Sequence, residues 1–239
     1  MISGIDSFDT IIFDMDGTLV SSLSCIYHCV NQISEKYVHV SRTLEQIIAN
    51  FGPPAYVIIQ NLTSELPEAL QQEAVSEYYK CYKNNVRDKV LVFPGIPQLL
   101  GKIRNFEAHS SLVTGVERKL MNYTMDGLDL SKYFEIQICS DDVRKTKPDP
   151  EGINMILEKT GSKPNETLFV GDSPVDMRAG KAAMVHTGAA LWSPENLGDP
   201  RIENPDYEFH SIQQLSDFLF PESTTRQNEI YFSEKWRGK

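Results

Sequence analysis

Apolar positions along the chain recur at two different spacings. Leu23, Ile26, Tyr27, Val30, Ile33 and Tyr37 follow the i, i+3, i+4, i+7 rule of one amphipathic helix, with Ser21, Ser22 or Ser24 available as its N-cap. A second helix begins near Thr43, where Thr43 and Gln46 have capping-box spacing, and Gly52-Pro53-Pro54 stops it. A third runs from Pro54 to Leu62, and Pro67 opens a fourth that carries Leu70, Ala74, Tyr78 and Tyr82 at intervals of four. Residues 22 to about 85 thus read as wholly helical. From residue 90 short β-like runs alternate with helical stretches. The runs are SSLV (110–113), IQIC (136–139), TLFV (167–170), a weaker VHTGAAL (185–191) and YEF (207–209) as a possible edge. Helical patterns fill 96–104, 117–126, 150–160 and 174–183.

Alternation of this kind predicts an α/β fold, a Rossmann-like parallel sheet with helices on both faces. The run TIIF (10–13) is too short for periodicity to exclude a helix, but its β-branching places it in the same sheet. The expected organisation is a discontinuous α/β core over 1–19 and 91–220, an inserted helical cap domain over 20–90, and a loose polar tail over 221–239.

Composition narrows the function. With 239 residues, 41% of them hydrophobic, the chain can bury one sizeable core plus a smaller accessory domain. A net charge of −10 without clustered Lys/Arg argues against nucleic acid as partner, so an anionic substrate needs a local positive site. A basic n-region followed by an apolar h-region is missing from the N-terminus, and no apolar run approaches the ~20 residues of a membrane span. The expectation is a cytoplasmic protein with no membrane partner; monomer and homodimer stay equally open. Cys25, Cys29, Cys81 and Cys139 are too few and scattered for a disulfide scaffold and are expected to be reduced structural thiols. Cys25, His28 and Cys29 have no second pair at zinc-ligand spacing.

Ligands of open α/β sheets bind beyond the carboxyl ends of the strands. There the chain concentrates its chemistry: Asp14 and Asp16 after TIIF, Thr114 and Gly115 after SSLV, and Gly171, Asp172, Ser173 and Asp176 at the end of TLFV. The loop beyond IQIC brings Lys147 within KTKPDP. Singly, such residues are ordinary helix caps or a solvated lysine. Residues i and i+2 of an extended segment project to one side, so Asp14 and Asp16 can face one ligand while Met15 turns into the core.

Taken in order, DMDGTLV, the VTG ending at Gly115, KPDP and GDSPVD resemble the motifs of the haloacid dehalogenase-like hydrolase superfamily, in the helical-cap branch that includes phosphoglycolate phosphatases. The resemblance covers residue 9 to about 220. It implies a phosphatase acting on a small phosphorylated metabolite, phosphoglycolate-like, with Mg2+ as cofactor. Cleavage of a phosphate monoester demands acceleration approaching ~10²¹-fold, so charge stabilisation must dominate. In this reading Asp14 is the nucleophile and forms an aspartyl-phosphate, and Asp16 protonates the leaving oxygen, then deprotonates the hydrolytic water. Mg2+ relieves the repulsion between carboxylate and phosphate; Asp14 and Asp172 are carboxylate ligands and, as the resemblance implies, Asp16 adds its backbone carbonyl. Asp176 acts through metal-bound water or by orienting Lys147. Thr114, Gly115 and Lys147 bind the phosphoryl oxygens. Lys145 competes with Lys147, and the position directly before Pro148 favours Lys147.

Two departures from the branch pattern stand out: Ser21 replaces an expected Asp, and Val116 follows Thr114-Gly115 where a polar residue is common. Within the cap, Gly52 and Tyr56 are weak candidates for substrate contact, against a plain helix-helix turn. The same core residues would also serve a phosphomutase or a pyrophosphatase. A dehalogenase would have no use for Asp16 or for the acidic GDSPVD, and a non-enzymatic phospho-switched binding module would lack the helical insert.

Overall fold

The computed structural model describes residues 8–106, 108–195 and 198–221. Its centre is a six-stranded sheet built from β1 (Thr10–Phe13), β4 (His109–Val113), β5 (Ile136–Ile138), β6 (Thr167–Gly171), β7 (His186–Ala190) and β8 (Tyr207–Phe209). The order is β5-β4-β1-β6-β7-β8, and every pairing is parallel. β2 (Val20–Ser21) and β3 (Leu91–Val92) form a separate antiparallel ribbon. The helices are α1 (Leu23–Val38), α2 (Leu44–Ile48), α3 (Ala55–Leu62), α4 (Glu68–Lys89), α5 (Ile96–Asn105), α6 (Arg118–Gly127), α7 (Glu151–Thr160), α8 (Pro174–Ala182) and α9 (Ile212–Leu219).

Alternate side chains of the sheet feed two apolar clusters, which is why it is covered on both faces. Ile11, Phe13, Leu112, Leu168 and Val170 join Leu99, Ile103, Leu215 and Leu219 of α5 and α9. Ile12, Val113 and Phe169 join Ile153, Ile156 and Ala179 of α7 and α8. Each fully buried Ile, Leu or Phe contributes roughly 1.5–3 kcal/mol relative to exposure.

Helices α1 to α4 lie between the two ribbon strands, so the chain leaves the sheet and returns to it at adjacent points. The capping box expected at Thr43 is present: its hydroxyl accepts from Gln46 N, and the Gln46 side chain accepts from Thr43 N at 2.9 Å. In α4, Ala74, Tyr78 and Tyr82 are buried as the spacing of four predicts, while Leu70 is exposed. Tyr82 hydrogen-bonds Thr124 of α6 at 2.9 Å, fastening the insert to the sheet layer.

Three expectations need correction. The buried face of α1 is rotated: Cys25, Cys29, Val30, Ile33 and Ser34 point inward and Tyr27 is exposed, because the small side chains allow close approach of α4. Ser22 stands at the N-cap of α1 but makes no capping hydrogen bond. The cysteines are not all reduced: Cys29 of α1 and Cys81 of α4 form a disulfide, while Cys25 and Cys139 are free and buried. Helix α9 and the β2-β3 ribbon were not expected. After Pro221 the tail expected to be loose lies outside the described residues. Among the described residues, no helix is long and apolar enough to cross a membrane.

Candidate active site

The site is assembled where the sheet order reverses. Asp14 leaves the end of β1, Thr114 the end of its neighbour β4, and Asp172 the end of β6 on the other side. Asp14 keeps its backbone in the sheet, its N–H donating to Val170 O at 2.9 Å. Beyond it the chain turns sharply: Gly17 has φ +80° and donates to Val20 O at 2.7 Å. A β-carbon at Gly17 would fall 2.0 Å from Asp172 Oδ2, so glycine is what lets the two loops meet. Met15 is fully buried, and Asp14 and Asp16 both line the cavity above, as the i, i+2 argument requires.

Lys147 reaches in from the loop between β5 and α7. Its Nζ donates to Asp14 Oδ1, to Asp176 Oδ1 at 2.6 Å and to Val113 O at 3.3 Å. Burial alone would lower its proton affinity, but Asp14 and Asp176 together raise it above the usual lysine range. Lys145 is instead exposed, with only a 3.9 Å approach to Asp149. Asp176, in the first turn of α8, accepts from Ser173 N at 3.1 Å and from the Ser173 hydroxyl at 2.5 Å with its other oxygen. Thr114 is buried and its hydroxyl accepts from Val116 N at 3.1 Å, which leaves its own O–H for a ligand oxygen.

One carboxylate oxygen each from Asp14, Asp172 and Asp176 lies within 4.8 Å of the others. Burial, then the charges of its neighbours, holds Asp172 well above the usual carboxylate range. Asp14 is raised by burial as well, against the pull of Lys147. That much negative charge against one lysine, offered entirely by hard oxygen donors, fits a divalent cation such as Mg2+. Asp176 is the least available of the three, since both its oxygens already accept hydrogen bonds. Asp16 is pushed up to about 6 by burial, opposed by hydrogen bonding to Ser22 and reinforced by Glu195. Its Oδ1 is buried without a hydrogen-bond partner, a polar atom in a site built for something else to complete.

The cavity over these groups has a volume of about 380 Å³. The sheet ends supply its floor and the insert its roof, through Ile26, Phe51, Pro53, Pro54 and Tyr78. Gly115 and Gly52 line it; Tyr56 does not, and its ring is 43% exposed. Ser22, Glu117 and Glu195 are among the lining residues that the sequence did not mark. Ser22 touches Asp16, Glu195 accepts from the Ser21 hydroxyl, and Glu117 contacts the insert. Glu117 is only three residues from Thr114, a placement that could have marked it. The Ser21-Glu195 bond also accounts for the missing Asp at 21, which would set two carboxylates against each other.

Comparison with known proteins agrees with the geometry. The haloacid dehalogenase-like hydrolase family profile matches residues 11–190. Among curated relatives, the pyrophosphatase PpaX of Oceanobacillus iheyensis is 27% identical over 212 residues, covering 87% of this chain and 95% of its own. A phosphoglycolate phosphatase of Pseudomonas syringae pv. tomato is 28% identical, covering 86% of this chain and 77% of its own. Among solved structures, a predicted phosphoglycolate phosphatase from Haemophilus somnus superposes with TM-score 0.79 at 20% identity, covering 89% of this chain and 98% of that one. A HAD-superfamily hydrolase, subfamily IA, from Geobacter sulfurreducens gives 0.68 at 21% identity, covering 89% and 97%. These likenesses run through the helical insert as well as the sheet. With residues 11–190 matched by the family profile, the chain belongs to the haloacid dehalogenase-like hydrolases.

Proposed function

We propose that this protein is a Mg2+-dependent phosphatase of small phosphomonoesters that works through a phosphoryl group carried on Asp14, with residues 20–90 acting as a cap over a core of 1–19 and 91–220. The observation that carries this reading is the pairing of Asp14 with Lys147 on the cavity floor, beside the unpartnered Asp16 oxygen. The names of the relatives, a pyrophosphatase and a phosphoglycolate phosphatase, support phosphate chemistry while differing in leaving group.

In the first step an Asp14 oxygen attacks phosphorus, the ester P–O bond breaks, and Asp16 gives its proton to the departing oxygen. In the second, Asp16 takes a proton from water as that water attacks phosphorus, and the Asp14–phosphorus bond breaks to release inorganic phosphate. Asp16 at about 6 suits both directions of transfer near neutrality. Thr114, Gly115 and Lys147 hold the phosphoryl oxygens. Asp14, Asp172 and the Asp16 backbone carbonyl would hold Mg2+, which when bound screens the negative phosphate from the negative nucleophile. Asp176 orients Lys147.

The expectation of a cytoplasmic location drew on reduced thiols, and the Cys29–Cys81 disulfide removes that support. The test is a phosphate-release screen over small phosphomonoesters, phosphoglycolate and pyrophosphate, with Mg2+ and with chelator. Release from at least one monoester that stops with chelator is expected; release from none, or release untouched by chelator, overturns the reading.

A further inference from the structure

Away from its acidic floor the cavity wall is largely apolar, with two carboxylates set into it: Glu195, which lies beside Asp16 and Ser21, and Glu117, which stands against the insert. Glu117 is 6% exposed and stands at the N-cap of α6, directly after Thr114-Gly115-Val116. Its Oε2 accepts the N–H of Ala55, the first residue of α3, at 3.1 Å. Its Oε1 accepts the hydroxyl of Tyr79 from α4. Burial pushes the Glu117 carboxyl up, opposed by the hydrogen bonds from Tyr79 and Ala55; both partners donate, and with the positive end of α3 they favour the ionised form.

The start of a helix facing a cavity is where the second anionic group of a substrate would ordinarily be received. Here Glu117 already occupies that place. Among the described residues lining the cavity, Lys147 is the only Lys or Arg, and it is engaged by Asp14 and Asp176. A carboxylate or second phosphate on the leaving group would therefore enter the cavity against Glu117 with no cation to receive it.

We propose that Glu117 determines specificity, admitting phosphomonoesters whose leaving group is uncharged and largely apolar and turning away those that carry a second anion. This rests on the phosphomonoesterase reading and narrows it, away from the phosphorylated organic acid that the sequence resemblance implies. Glu117 touches the leaving group's side of the cavity and takes no part in bond breaking.

The test compares propyl phosphate, 2-hydroxyethyl phosphate, phosphoglycolate and pyrophosphate in two assays: kcat/KM with Mg2+, and calorimetric affinity for the Asp14→Asn protein. The two uncharged esters should be favoured over phosphoglycolate by at least about 10-fold, one like-charge pair at short range being enough for that. Glu117→Gln, which keeps an acceptor for Ala55, should narrow the gap by improving phosphoglycolate. Tyr79→Phe, which removes a donor but keeps the charge, should not. Preference for phosphoglycolate or pyrophosphate in the parent protein overturns the inference. So does an equal narrowing by both variants, which would report a loosened cap instead of a lost charge. If the Asp14→Asn protein binds in the expected order while the parent turns nothing over, the phosphatase reading fails and the specificity inference stands.

Discussion

Lys147 and Asp176 are joined at 2.6 Å beneath the cavity, and the second oxygen of Asp176 is fixed by both the backbone and the hydroxyl of Ser173. The lysine is thus aimed by a carboxylate that is itself anchored at the start of α8. Asp176→Asn keeps the shape but weakens the charge that holds Lys147 in place. Activity should fall roughly 10–100-fold, the usual cost of losing such a supporting group. Steady-state kinetics should show the loss in kcat, together with weaker competitive inhibition by inorganic phosphate. Unchanged inhibition would mean that Lys147 does not depend on Asp176.

The buried, unpartnered oxygen of Asp16 points to proton transfer to the leaving group. Asp16→Ala should slow turnover of alkyl phosphates by about 10²–10⁴-fold. An aryl phosphate, whose leaving group departs without help, should lose much less in its first step. Equal losses on both substrate types, measured as single-turnover rates, would remove the general-acid role.

Acidity should destabilise the metal-free protein less than alkalinity does within a defined window. Asp16 and Asp172 rise from an ordinary 3.8 to about 6 and about 9 when folded, chiefly through burial. The folded protein therefore holds protons that the unfolded chain releases, and stability falls as pH rises from about 4 to about 9. Lys147, raised and charged throughout this window, does not offset the trend. In chelator the melting temperature should decline across this range, and added Mg2+ should restore more of it at the alkaline end. A larger Mg2+ effect at the acid end would contradict the assignment of these carboxylates.

Much of the fold could be read from the chain because its signals are local. TIIF, SSLV and TLFV are strands whose apolar residues must be buried, and the polar residues that follow them must then gather at one sheet edge. Asp14, Thr114 and Asp172 were legible for that reason, and Lys147 because the loop beyond IQIC leads to the same edge and places it directly before Pro148. The β2-β3 ribbon is two residues per strand, too short to leave a pattern. Helix α9 does carry one, with Ile212, Leu215 and Leu219 at helical spacing just past YEF. Glu117 is different in kind. Its role comes from Ala55 and Tyr79, 62 and 38 residues away, and no local spacing encodes that meeting. Tyr56 misled because Gly-Pro-Pro marks a turn without saying which side chain beside it faces inward.

The same limit applied to the cysteines. Cys29 and Cys81 are 52 residues apart in sequence and meet only because α1 and α4 pack side by side. A crosslink spanning that much chain restricts the unfolded state, so Cys81→Ser should lower stability by about 2–4 kcal/mol. Urea unfolding of the variant and of the reduced parent protein should give matching shifts. A parent protein whose midpoint does not move with reductant would show that the two sulfurs are not bonded in solution.

The central claim is that phosphorus is transferred to Asp14. The most direct measurement is acid quenching during turnover of a phosphomonoester with Mg2+, followed by mass spectrometry of the peptide containing residues 13–20. The expected result is one added phosphoryl group on Asp14, lost at alkaline pH and absent from Asp14→Asn. Turnover at full rate by Asp14→Asn, or a phosphoryl group found on any other residue of the peptide, would contradict the account.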